Sequence, residues 1–193
     1  MIEDVQAVIV ELDGHRARFE AFCRSLSDEQ LNRQVPNSTW IVKDFISHLA
    51  TIDGPVGEMF RSIHEGADPG MRNADGGRFD VDHWNDGQVA RRRQKSVEEI
   101  LAEAAEARAV LHGYMDELTE EDVARTIPFG GDSKRPAGSV QLLQYLRGWC
   151  KHDPMHAVDM MRALPELKSP ELDAWFDDPV IRGYQAAMNP DGG

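Results

Sequence analysis

The chain has 193 residues and a formal net charge of −13, from 21 Lys and Arg against 34 Asp and Glu, with a pI near 4.9. So acidic a surface opposes nucleic-acid backbones and anionic membrane faces, both of which are bound by clustered Lys and Arg. The length fits one domain, no segment reaches the roughly 20 apolar residues of a membrane span, and the acidic start Met1-Ile2-Glu3-Asp4 lacks a signal peptide's basic region, so a cytoplasmic protein with neither nucleic-acid nor membrane partner is expected.

The dominant signal is helical periodicity. Val5, Val8, Ile9, Leu12, Phe19, Phe22 and Leu26 recur at three- and four-residue steps and predict a long first helix. Ser27 with Gln30 forms a capping-box pattern for a short turn over 29–33. After the break at 36–39, Ile41, Phe45, Leu49, Ile52, Val56, Met59, Phe60 and Ile63 describe a second amphipathic helix, which Gly54-Pro55 should bend or interrupt. Residues 66–77 are rich in Gly, Asp, Pro and Asn and predict a loop. Residues 80–95 read either as a separate helix or as the start of the third. The third is best marked from Ser96, with Glu99 completing a capping box and Val97, Ile100, Leu101, Ala104, Leu111, Met115 and Leu118 as its stripe.

Residues 127–138 predict a second loop. Val140, Leu143, Leu146, Cys150, Ala157, Met161 and Leu164 then mark a fourth long helix. Ser169-Pro170 and Asp178-Pro179 each place an N-cap residue before a proline and predict two short C-terminal helices. No alternating strand pattern and no internal repeat stands out. Four apolar stripes must cover one another, so the expected fold is an all-α four-helix bundle over residues 1–165, with 166–193 as a short helical extension of the same domain. The long second connection hints at a crossover in its topology.

The chemistry lies in the histidines. His152 and His156 are spaced i, i+4, so their rings leave one side of the fourth helix a turn apart and can share a metal ion. His48 lies between Phe45 and Ile52 on the second apolar stripe. Taken singly, an HxxxH pair is common and a stripe histidine usually serves the core. Taken together, three imidazoles on inward faces are costly to bury without a ligand and would leave positions on a metal open for water and substrate. Asp44, Asp53, Asp153 and Asp159 flank them and could orient a ring, and Tyr145 and Trp149 could line a pocket. Pro154, between the two helical histidines, should kink the helix there. Cys23 and Cys150 form no CxxC pair and read as small buried hydrophobes.

Residues 40–49, Trp-Ile-Val-Lys-Asp-Phe-Ile-Ser-His-Leu, resemble the tryptophan-to-histidine signature of the DinB-like superfamily. Residues 151–156, Lys-His-Asp-Pro-Met-His, resemble its later HDxxH element. Trp84-Asn85, ahead of an arginine-rich stretch, is similar to the branch of mycothiol-dependent maleylpyruvate isomerases. The resemblance spans residues 1–165. It implies a four-helix bundle holding one divalent metal, usually zinc or nickel, on His48, His152 and His156. It implies either a thiol-dependent transferase or isomerase, with a low-molecular-weight thiol as second cofactor, or a metal-dependent hydrolase, acting on a small molecule. A non-catalytic metal-binding or sequestering bundle is the alternative. Members often pair, so a homodimer is expected; Trp175, Phe176 and Tyr184 fall outside the four helices and need cover, on the same subunit or on a neighbouring one.

Overall fold

The structure, a computed structural model, describes residues 2–67, 79–129 and 137–188. The predicted loops at 66–77 and 127–138 lie largely outside these residues, as does the C-terminal end. Helix α1 spans Glu3–Ser25 and buries Val5, Val8, Leu12, Phe19 and Phe22, the stripe read from the sequence. The Ser27/Gln30 capping box opens α2, Asp28–Leu31. Asn37, at φ 58°, turns the chain before the next helix.

The second helix is two helices. Helix α3 covers Val42–Leu49 and α4 covers Asp53–His64. The interruption falls just before Gly54-Pro55, so Pro55 becomes the third residue of α4, where a helix has no use for an amide hydrogen. Residues 80–95 form a separate helix, α5 (Val81–Arg92), capped by Asp80. Helix α6, Val97–Glu117, begins at the Ser96/Glu99 capping box. Gly57 of α4 lets α6 come close, since a Cβ there would stand 3.0 Å from the Tyr114 ring.

Three elements differ from the sequence expectation. A five-residue helix α7, Glu120–Ala124, follows α6 behind a Thr119/Asp122 capping box. The segment expected as a plain loop is flanked by antiparallel strands β1 (Thr126–Phe129) and β2 (Gly138–Gln141), in register Ile127 to Val140. Val140, expected in the fourth helix, therefore belongs to a strand.

The fourth helix is also divided, into α8 (Leu142–Trp149) and α9 (His152–Met161). This corrects the expected kink at Pro154. The chain breaks at Cys150-Lys151, and Pro154 is the third residue of a new helix, not an interior residue of an old one. The Met155 amide bonds the Lys151 carbonyl at 3.0 Å, so the α9 ladder runs normally past the proline. A 3₁₀ turn (Pro165–Leu167), α10 (Pro170–Phe176) and α11 (Pro179–Met188) complete the described chain.

Helix α1 packs against α6 and against both halves of the fourth helix, α8 and α9, while α6 packs against both halves of the second, α3 and α4, so the connections from first to second and from third to fourth unit run across the bundle. The architecture repeats where the sequence does not: a continuous helix is followed by a broken one, twice. In both broken helices the second half opens with an aspartate and a proline, Asp53 and Pro55 or Asp153 and Pro154. Trp175 is buried against the core, with Phe176 packed on it, and Tyr184 is partly buried, so all three C-terminal aromatics find cover within the chain. No helix among the described residues is long and apolar enough to cross a membrane.

Candidate metal centre

The core is not one apolar body. One cluster gathers Phe19, Phe45, Ile46, Leu49, Ile100 and Met160, and the other Leu12, Phe60, Leu111, Met115, Leu142 and Leu146. Along all four helical units a charged residue stands between the two: Arg16 in α1, Asp53 in α4, Arg108 in α6 and Asp153 in α9. All four are buried, at 7%, 2%, 6% and 2% exposure. Arg16 grips Asp153 with two bonds, Nε to Oδ2 at 2.7 Å and Nη2 to Oδ1 at 3.0 Å. Arg108 Nε donates to Asp53 Oδ2 at 2.7 Å. The cross pairs, Arg16 with Asp53 and Arg108 with Asp153, both lie at 3.7 Å. Burial alone would push the Asp153 carboxyl up; the two guanidiniums overcome this and hold it below its ordinary value.

This ionic layer sits directly behind the histidines. Asp153 follows His152 in the chain, and Arg16 also donates to the carbonyl of Leu49, the residue after His48, at 3.3 Å. One guanidinium thus ties the last turn of α3 to the first turn of α9, the two places that carry the imidazoles. The sequence held a signal for it. Arg16 interrupts the stripe between Leu12 and Phe19, and Arg108 interrupts it between Ala104 and Leu111.

The three histidines converge. Candidate ligand nitrogens of His48, His152 and His156 all lie within 4.8 Å of one another. Ring centroids are 5.2 Å apart for His48 and His152, 4.9 Å for His48 and His156, and 4.6 Å for His152 and His156. The interplanar angles, 77°, 86° and 73°, set the rings around a point instead of in a stack. The Nε2 atoms of His152 and His156 are 3.1 Å apart. Two imidazoles on one tetrahedral zinc, with Zn–N near 2.0–2.1 Å, require about 3.3 Å.

Two rings are held from behind. His48 Nδ1–H donates to Asn85 Oδ1 of α5 at 3.1 Å. His156 Nδ1–H donates to Asp159 Oδ2 at 3.0 Å. A proton fixed on Nδ1 assigns Nε2 as the ligand atom, the usual role of an outer partner. Burial, with the neighbouring His156 and His48, pushes His152 well below the ordinary histidine value, which keeps its ring neutral and able to ligate. Neutral imidazole suits zinc, nickel or iron over calcium or magnesium, so the donor set fits a transition-type divalent ion.

Aromatic side chains frame the cluster. Trp149 stacks on His152 at 4.4 Å, and Tyr145 stacks on Trp149 at 6.1 Å. Trp40 lies 5.4 Å from His48 and anchors its indole N–H on Asp86 at 2.9 Å. Of the flanking acids, only Asp159 orients an imidazole. Asp44 caps the Ile41 amide at 3.1 Å, and Asp53 and Asp153 belong to the ionic layer.

The same bundle is found in solved structures. A mycothiol-dependent maleylpyruvate isomerase superposes with a TM-score of 0.60 at 11% identity, over 83% of this chain and 63% of that one. A histidine-to-alanine mutant of such an isomerase matches at 0.60 and 10% identity, with the same coverage. This chain therefore spans less than two thirds of that enzyme's length, and the likeness is one of fold. No curated protein matches the sequence. The DinB superfamily model matches residues 11–160. That stretch takes in the tryptophan-to-histidine segment, the HDxxH segment and all three converging imidazoles, and with the matching bundle it makes this chain a member of the DinB superfamily.

Proposed function

We propose that this protein is a metal-dependent enzyme acting on a small molecule, with zinc or nickel held by His48, His152 and His156, and that its reaction is a thiol-dependent transfer or isomerisation. The observation that carries the reading is the convergence of three imidazoles, one buried and two half-buried, two of them with Nδ1 committed to an outer partner. A divalent ion there would lower the pKa of a bound thiol or water and supply a nucleophile at neutral pH. Three protein ligands leave a tetrahedral ion one position for it. The chain's own residues do the rest. Asn85 and Asp159 hold the ligand rings, the ionic layer holds the two helix ends that bear them, and Trp40 and Trp149 supply flat apolar surface beside the reacting position. The thiol dependence is favoured by the isomerase of like fold, and a low-molecular-weight thiol is the second cofactor it calls for. Residues 166–193 are read as part of the same domain.

Metal content measured on protein purified without added metal tests the site, followed by calorimetry with zinc. One equivalent of zinc or nickel is expected. His48→Ala should weaken binding by more than the 10–100-fold typical of losing an outer partner, and His152→Ala with His156→Ala should abolish it while the helical signal stays. A double variant that binds zinc as tightly as the parent overturns the site. Isomerisation of maleylpyruvate with added mycothiol tests the reaction. A metal-loaded protein inert with thiols and electrophiles would instead be a binding or sequestering bundle.

A further inference from the structure

Tyr184 lies in α11, beyond residues 11–160 of the family match, yet it reaches the histidine cluster. Its hydroxyl donates to Asp159 Oδ2 at 2.6 Å, the same oxygen that accepts His156 Nδ1–H at 3.0 Å. The His156 and Tyr184 rings meet edge to face, with centroids 6.3 Å apart and planes at 82°. Asp159 is 4% exposed, and its other oxygen, Oδ1, lies 3.9 Å from the Arg162 guanidinium. The order is therefore phenol, carboxylate, imidazole, with each donor pointing one way.

We infer that Tyr184 is a positioning residue of the metal centre: the C-terminal helix completes the site by fixing Asp159, which fixes the ring of His156. A carboxylate on a helix has rotamer freedom about two bonds. His156 constrains Oδ2 from one direction. The phenol constrains the same oxygen from a second direction, on a helix that packs directly against α9. Without the phenol Oδ2 loses one of the two donors that fix it, and the bond from the Nδ1–H of His156 is less firmly held. The inference rests on the metal reading for its functional meaning, but its geometry can be checked without metal.

The test uses the full chain and Tyr184→Phe, which keeps the ring and removes one oxygen. Zinc affinity is measured by competition with a chromophoric chelator for the parent, Tyr184→Phe, Asp159→Asn and the double variant. Tyr184→Phe is expected to weaken zinc binding by about tenfold and Asp159→Asn by 10–100-fold, the range for outer partners of a ligand. The double variant should bind no more weakly than Asp159→Asn alone, because the phenol acts only through the carboxylate. Affinity within twofold of the parent, independent losses that multiply, or a lowered melting temperature with unchanged affinity would each overturn the inference. Metal-free, nitrogen-15-labelled protein gives a second readout. The His156 Nδ1–H should exchange slowly with solvent in the parent and at least tenfold faster in Tyr184→Phe, and equal exchange overturns the positioning role. If the parent binds no zinc at all, the metal reading fails, and this exchange measurement alone decides whether Tyr184 orders His156.

Discussion

Each imidazole in the cluster has two nitrogens, and a ligand must commit the right one. Asn85 does this for His48 from 37 positions away in the chain. Asn85→Leu, close in size but unable to accept a hydrogen bond, should weaken zinc binding 10–100-fold with little change in helical content, read by calorimetry and circular dichroism. The three converging histidines were readable in the sequence. His152 and His156 announce themselves through i, i+4 spacing, and His48 through its place on an apolar stripe. Their surroundings were not, because Asn85 and Tyr184 come from other helices and no periodicity relates them to His48 or to Asp159, the groups they bond. Asp159 sits three positions from His156, but so placed it was one of several flanking acids, and only the fold separates it from Asp153, which turns to Arg16.

Among the elements, the long uninterrupted helices followed directly from their stripes and capping boxes, and the second helix carried its interruption at Gly54-Pro55, whereas the fourth read as one helix kinked at Pro154 and not as two. The reason is physical. A break of two or three residues, as at 150–151 or 50–52, hardly disturbs a 3.6-residue period, so the apolar stripe passes through it. Proline marked both breaks, but its effect depends on which side of the break it falls. An interior proline replaced by Ala would stabilise the helix by about 3 kcal/mol. Pro154 sits in a first turn, so Pro154→Ala should instead cost about 0.4–1 kcal/mol, through greater freedom of the unfolded chain, in urea denaturation of the metal-free protein. The overlooked α7 depends on its cap. Burial pushes the Asp122 carboxyl up, but the Thr119 amide, the His64 ring and the Thr119 hydroxyl overcome this and leave it below its ordinary value. The unfolded chain then binds the proton first. The stabilisation is complete above about pH 4 and drains away as pH falls through the folded value. Asp122→Ala should cost about 1 kcal/mol at pH 7 and progressively less as pH falls below about 4, measured by denaturation across that range.

At the scale of the whole molecule, the ionic layer splits one hydrophobic core into two, an arrangement that transfer energies alone would not select. Removing four ions from water costs several kcal/mol each, and the two bonded pairs recover that cost only through close geometry. What the layer does supply is alignment. Apolar side chains can slide along a helix by a turn at modest cost, but Arg16 can satisfy Asp153 and the Leu49 carbonyl together in one arrangement only. That arrangement brings the end of α3 level with the start of α9, which is what a site shared between His48 and His152 requires. Stability and alignment can be measured apart. Arg16→Met should destabilise the protein by about 3–5 kcal/mol, because Asp153 is left buried with only the more distant Arg108. Against a total of about 5–15 kcal/mol for an ordinary domain, that is a large fraction, visible as a lower urea midpoint. Arg16→Met combined with Asp153→Leu removes both charges, and the urea midpoint should return most of the way to that of the parent. Zinc affinity should not return with it, since the lost guanidinium is also what held the Leu49 carbonyl. A double variant as unstable as Arg16→Met would show that the pair contributes net stability, and one that regained both stability and affinity would show that the apolar layers align the histidines unaided.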